Sequence, residues 1–185
     1  MKKILAIVLA LVVVVAAFAA CGGNGDDTNT TNGGSTEVTA YEGTFEDLVT
    51  KLYETNPVEF MAGPAMAMDL ADLENLPYYT GLSTADGISE AAWSESMLGS
   101  QPYSLVLVRA AEGADIEAIK TAMFNGINTR KWICVEADQL RVVSSADVIM
   151  LVMAGSEFAP GLADKMVEAF TTNVGELTGE TLTRG

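Results

Sequence analysis

The side chains of this sequence with the means to do chemistry are mostly carboxylates. Glu90 and Glu95, and the closer set Asp69, Asp72 and Glu74, supply the residue types for general acid and base roles, since glycoside hydrolysis needs two carboxyl groups about 5 to 10 Å apart. Nothing in their spacing distinguishes them from solvated surface charges, which is what they are expected to be. The D-x-[DN]-x-[DN]-G order of a calcium loop is missing, and neither a metal nor a cofactor is expected. The sequence has no histidine, which removes Ser-His-Asp and Cys-His catalysis, histidine-ligated zinc and the commonest general base together. Gly81-Leu82-Ser83-Thr84-Ala85 approaches the G-x-S-x-G nucleophile elbow, but it ends in Ala and has no base to activate Ser83. No S-x-x-K pair and no phosphate-binding G-x-x-x-x-G-K-[ST] loop occurs. The chain is therefore expected not to be an enzyme.

One triplet brings two cations to an aromatic ring. Arg130-Lys131-Trp132 can offer a cation and a stacking face to an acidic or sugar ligand. The more ordinary arrangement has Trp132 plugging the core while Arg130 and Lys131 stay in water. Next to it, Cys134 lies in the apolar run Trp132-Ile133-Cys134-Val135 and is expected to be an inert core residue.

The other cysteine sits at a boundary. Met1-Lys2-Lys3 followed by the uncharged run Ile4 to Ala20 has the layout of a secretory signal. Seventeen residues rising 1.5 Å each span about 25 Å, marginal for a hydrocarbon core of roughly 30 Å, so a retained helix is the lesser alternative. Ala17-Phe18-Ala19 fits ordinary signal cleavage. Phe18-Ala19-Ala20-Cys21 resembles the bacterial lipobox, with Phe18 where an aliphatic residue is usual. Residues 22–40 then turn to Gly, Asn, Asp and Thr, too little apolar surface to offset conformational entropy, and read as a flexible tether. Cys21 is accordingly the expected lipidation site. Its two thioether-linked acyl chains would suffice for stable anchoring, leaving Cys134 unpaired. Removing residues 1–20 takes away Lys2 and Lys3 and no acid, so the formal charge goes from −15 to −17. Such a domain repels phosphate backbones, and nucleic acid is not an expected partner.

The elements that must position these residues lie in 41–185, enough for one domain with a real core. Thr44 and Asp47 frame a helix start, and Phe45, Leu48, Val49, Leu52 and Tyr53 form its stripe up to Asn56-Pro57. Residues 58–80 are ambiguous, with a short strand suggested by Met66, Met68 and Leu70. A turn is expected over 84–88, followed by a strand or a helical turn over 89–97. Tyr103 to Arg109 reads as a central strand. Asp115 caps a helix carrying Ile116, Ile119, Met123 and Ile127. Leu140–Val143 and Val148–Met153 form a hairpin across Ser144-Ser145-Ala146-Asp147. A last helix after Pro160-Gly161 faces inward with Leu162, Met166, Ala169 and Phe170. The tail from Gly175 has no stripe and is expected to fray. This order predicts an α+β domain over 41–175, its helices packed on one face of a small, mainly antiparallel sheet, between a signal peptide with disordered tether and a frayed tail over 176–185.

The segments Tyr78 to Leu82, Met97-Leu98, Tyr103 to Val108, Ile116 to Met123 and Val148 to Met153 together resemble an uncharacterised bacterial lipoprotein family, domain of unknown function 4358, found mostly in Gram-positive anaerobes. The resemblance implies a single extracytoplasmic α+β domain on a lipid anchor, and no catalytic residues. The expected function is a membrane-anchored binding, sensing or envelope-assembly domain. Its expected partners are the membrane, through Cys21, and a protein of the envelope. The competing expectation is a carboxylate-dependent hydrolase of cell-envelope glycans.

Overall fold

The computed structural model describes residues 40–185; the expected signal peptide, Cys21 and nearly all of the expected tether lie outside the described residues. Ten elements follow in chain order: α1 (Phe45–Thr55), β1 (Met66–Ala67), α2 (Asn75–Thr80), β2 (Ile88–Glu95), β3 (Tyr103–Ala110), α3 (Ile116–Gly126), β4 (Gln139–Ser145), β5 (Val148–Ala154), α4 (Leu162–Val174) and β6 (Leu182–Arg184). The strands form one antiparallel sheet in the order β1-β2-β3-β5-β4-β6. The expected α+β class with an antiparallel sheet is what the chain adopts. No helix among the described residues is long and apolar enough to cross a membrane.

The helices do not share one face. Alternate residues of a strand point to opposite sides, and both sets on β3 and β5 are apolar. Leu105, Leu107, Met150 and Val152 pack with α1 and α4, whereas Val106, Val108, Ile149 and Leu151 pack with Leu76 of α2 and with Ile119 and Met123 of α3. Every residue of β5 is buried. Since a strand apolar on both sides must be covered on both, the helices divide between the two faces, correcting the one-face expectation. Truncating a side chain such as the fully buried Leu107 to Ala costs about 3 kcal/mol.

Local signals place the helix ends as the sequence suggests. Thr44 Oγ1 accepts from the Asp47 N–H, and Asp115 Oδ1 from the Ala118 N–H. The last helix begins at Leu162 after Gly161. The hairpin turn is tighter than expected, only Ala146 and Asp147 separating β4 from β5, with Ala146 at φ 52°. In the ambiguous stretch, β1 is only two residues long, and α2 forms where no helix is expected. Gly81 ends α2 at φ 77°, packed so closely on the end of α3 that a Cβ there would lie 2.4 Å from the Ile127 nitrogen.

One partly buried node fastens the start of the domain. The Arg109 guanidinium on β3 pairs with Glu90 at 2.8 Å and Asp147 at 3.1 Å. It also donates to the carbonyls of Tyr41 and Gly43, at 2.9 Å each, and lies over the Phe45 ring. Asp147 in turn accepts from the Tyr41 N–H. Residues 41 and 43 are thereby clamped to β3 ahead of α1.

The tail is pinned as well. β6 pairs with β4, and the Lys120 side chain, fully buried on α3, donates to the carbonyls of Thr178 and Glu180 while pairing with Glu117 at 2.9 Å. Arg141 pairs with Asp164 and donates to the Arg184 carbonyl. The expected fraying of 176–185 is thus corrected: backbone pairing and two buried cations hold a segment that lacks an apolar stripe. Deleting residues 176–185 leaves Lys120 buried with fewer partners, and we expect a loss of about 3 kcal/mol in urea denaturation. An unchanged unfolding midpoint would restore the frayed tail.

Candidate functional site

The triplet singled out in the sequence splits three ways. Arg130 stays in water, its side chain 76% exposed, and pairs with Glu136. Trp132 is partly buried against the core of the α2–α3 face, as the ordinary reading expects. Lys131 departs from it: its side chain is 1% exposed and its Nζ lies 2.5 Å from Glu95 Oε1. Lys131 Nζ also donates to Ser104 Oγ at 3.2 Å. Rings surround the ammonium, with centroids at 4.6 Å for Tyr78, 4.8 Å for Tyr79 and 5.3 Å for Trp132. Tyr79 in turn stacks on Trp93 at 4.2 Å and 11°.

The walls of this box come from separate elements. Tyr78 and Tyr79 are consecutive on α2, a helix whose Pro77 falls in its first turn, where a missing N–H costs nothing. Trp93 and Glu95 are two residues apart on β2 and so share a face. Lys131 and Trp132 arrive on the loop between α3 and β4. Burial pulls the Lys131 pKa below its ordinary value even with Glu95 beside it, as desolvation of an ammonium does. Burial first, and the Glu95 charge second, push Tyr79 up to about 12; the same two causes raise Tyr78.

The carboxylate pairs named from the sequence do not assemble. Glu90 and Glu95 are an odd number of residues apart on one strand and face opposite sides, Glu90 toward Arg109 and Glu95 toward Lys131. Asp69 and Asp72 make turns: Asp69 accepts from the Ala71 N–H, and Asp72 from the Glu74 and Asn75 N–H groups. Those bonds, the Asn75 backbone N–H foremost, hold the Asp72 carboxyl below the usual range. Glu74 is exposed. Ser83 follows a helix end, not the strand-to-helix turn of a nucleophile elbow, and is exposed. The Lys131–Ser104 contact has the residue types of a nucleophile and base, but Ser104 is fully buried on β3, where no substrate reaches it.

Cys134 is not in the core. It is exposed, with φ 66°, next to Ile133 at 86% exposure. The apolar run is a loop apex because Trp132 alone reaches inward, and a residue in the left-handed region sits at a turn. Cys134 lines a groove of about 560 Å³ together with Pro102, Glu136, Asp138, Glu157 and Phe158. These acids were not candidates from the sequence, since 21 residues separate Glu136 from Glu157 and two different loops bring them together. Ser156 donates to Asp138 from its hydroxyl and, at 2.6 Å, from its backbone N–H, holding the carboxyl below its ordinary value. No cluster of three or more metal-ligating side chains occurs among the described residues.

No family model, curated protein or solved structure matches the chain.

Two outcomes check this geometry. Cys134 reacts with an aqueous thiol reagent in the native protein, and Cys134→Ser removes that label; labelling of Cys134 only after denaturation contradicts its exposure. In a tyrosinate absorbance titration, one group ionises near pH 12 and is lost in Tyr79→Phe. The folded chain keeps that proton above the unfolded value of about 10, so the stability Tyr79 contributes is complete below pH 10 and is lost as pH rises through about 12.

Proposed function

We propose that the protein is an extracytoplasmic lipoprotein, anchored to the cell membrane through Cys21, whose domain binds a partner or ligand and does not transform it. The observation that carries the anchored half is the order of the N-terminal sequence: a basic start, an uncharged apolar run, Ala19-Ala20-Cys21, and a polar segment. A cysteine at that junction has a use there as an attachment point and none as a fold element. The clamp of Arg109 on residues 41 and 43 supports the same reading, because force on a tether is then delivered to the central strand β3.

The binding half rests on what the ionisable groups are engaged in. Glu90, Glu95, Asp147 and Asp164 are each paired with a cation, and Asp69 and Asp72 cap turns. A carboxyl committed to an ion pair is a poor proton shuttle. The lipoprotein family that the sequence resembles is the family to which we assign the domain.

A second reading, a carboxylate-dependent hydrolase of envelope glycans, is favoured by one observation, the convergence of Glu136, Asp138 and Glu157 on the groove beside Cys134. It is the weaker because Glu136 is paired with Arg130 and Asp138 is bonded by Ser156, which engages two of the three acids where the reaction needs a pair of carboxyls free for acid and base roles.

Metabolic labelling with a fatty acid marks the wild type and not Cys21→Ser; equal labelling of both contradicts the anchor. Turnover of envelope glycan abolished by Asp138→Asn would displace binding in favour of hydrolysis.

A further inference from the structure

The geometry points to the box formed by Tyr78, Tyr79 and Glu95 as an organic-ammonium site that the chain fills with its own Lys131 and that an external methylated ammonium can occupy in its place. The inference rests on the binding reading above and gives that reading a ligand class.

The box has the composition that recognises ammonium groups. Ring faces attract a cation through their quadrupole, two tyrosine rings lie within 5 Å of the Lys131 nitrogen, and Trp132 closes a third side. Glu95, its side chain 14% exposed, supplies the opposite charge. Removing the lysine would leave that carboxylate and the two rings facing one another around a vacancy of ammonium size.

The walls stand without the occupant. Tyr78 and Tyr79 are fixed by α2, and the Tyr79 ring is braced on Trp93 of β2. Loop residues 128–138, in contrast, belong to no helix or strand. The bonds of Arg130 N–H to Asn128, Ala137 N–H to Thr129 and Arg130 to Glu136 lie within the loop itself. Lys131 makes the polar attachment of its apex to the body, through Glu95 and Ser104, while the neighbouring Ile133 and Cys134 face solvent. The occupant is thus carried on a loop held to the body by Lys131 itself, by the packing of Trp132 and by the Ser156–Asp138 bonds, while the two tyrosines are held on a helix.

The chemistry favours exchange for a particular kind of cation. A primary ammonium is strongly hydrated, and bringing it into the box strips water that one carboxylate and one hydroxyl replace only in part. A quaternary ammonium has no N–H groups to leave unsatisfied and presents methyl surface to the rings. Tyr78, 40% exposed, sits at the surface side of the box, and Met66, paired across the sheet with Trp93, is 46% exposed. Access therefore lies along an apolar rim, suited to a methylated headgroup.

The test uses full-length protein in a nonionic detergent and tetramethylammonium chloride as probe, against sodium chloride at equal ionic strength and tert-butanol as the neutral isostere. Tryptophan fluorescence reads the site, since Trp93 and Trp132 border it. Lys131→Ala is expected to bind tetramethylammonium saturably, about tenfold tighter than the wild type, as loss of a competing cation–π occupant implies. Adding Glu95→Gln should abolish that binding. A folded Lys131→Ala variant that responds no differently to the three solutes overturns the proposal. If that variant does not fold, hydrogen exchange of the wild type decides: tetramethylammonium should speed exchange of amides 130–136 and leave β5 unchanged, and unaltered exchange in the loop overturns it. Labelling at Cys21 is read separately, so either half of the account can fail alone.

Discussion

The whole arrangement depends on the double burial of β3 and β5. Their side chains are apolar on both faces, so neither face can be left to water. One helix pair, α1 and α4, covers one side, and α2 and α3 cover the other. The two longest connections, 56–65 between α1 and β1 and 127–138 between α3 and β4, carry no helix or strand of their own. Charged groups act as ties at the margins, with Arg109 at the start of the domain and Lys120 and Arg141 at its end.

Lys131 belongs to this pattern and also departs from it. Like Arg109, Lys120 and Arg141, it ties one segment of the chain to another. Unlike them it is surrounded by rings instead of carbonyls. Breaking a buried pair by removing one partner is strongly destabilising, while replacing both with apolar groups is often neutral. The Lys131–Glu95 pair in its aromatic setting therefore specifies the docking of one loop more than it adds stability. The same features, a carboxylate backed by rings near an exposed apolar rim, make the location chemically selective for cations in a domain whose surface is strongly acidic.

Much of the frame was legible in the sequence. Periodicity found α1, α3 and α4, the continuous apolar run found β3, and the β4–β5 hairpin followed from its two apolar segments and polar turn. The nearly continuous apolar content of Tyr103 to Arg109 implies a strand covered on both sides, and with it helices divided between two faces. The tail was misread because its hold on the body comes from backbone pairing and from cations on distant elements, Lys120 and Arg141, which leave no periodic trace in residues 176–185. α2 was missed because six residues with a proline inside are too few to show a stripe. The site escaped for a related reason. Lys131 is more than thirty residues from Glu95 and fifty from Tyr78 and Tyr79 in the chain, and a lysine in an acidic chain reads as solvated. The opposite facing of Glu90 and Glu95 follows from strand alternation if residues 89–97 form a strand and not a helical turn.

The claim on which the account most depends is that the Lys131 ammonium lies inside the ring box and not in solvent. The proton shifts of its ε-methylene group measure this directly, because protons over aromatic faces are displaced upfield. The account predicts a Lys131 ε-methylene resonance well upfield of those of the other lysines, returning toward them in Tyr79→Leu. An ordinary, solvent-like lysine shift for Lys131 in the folded protein would contradict it.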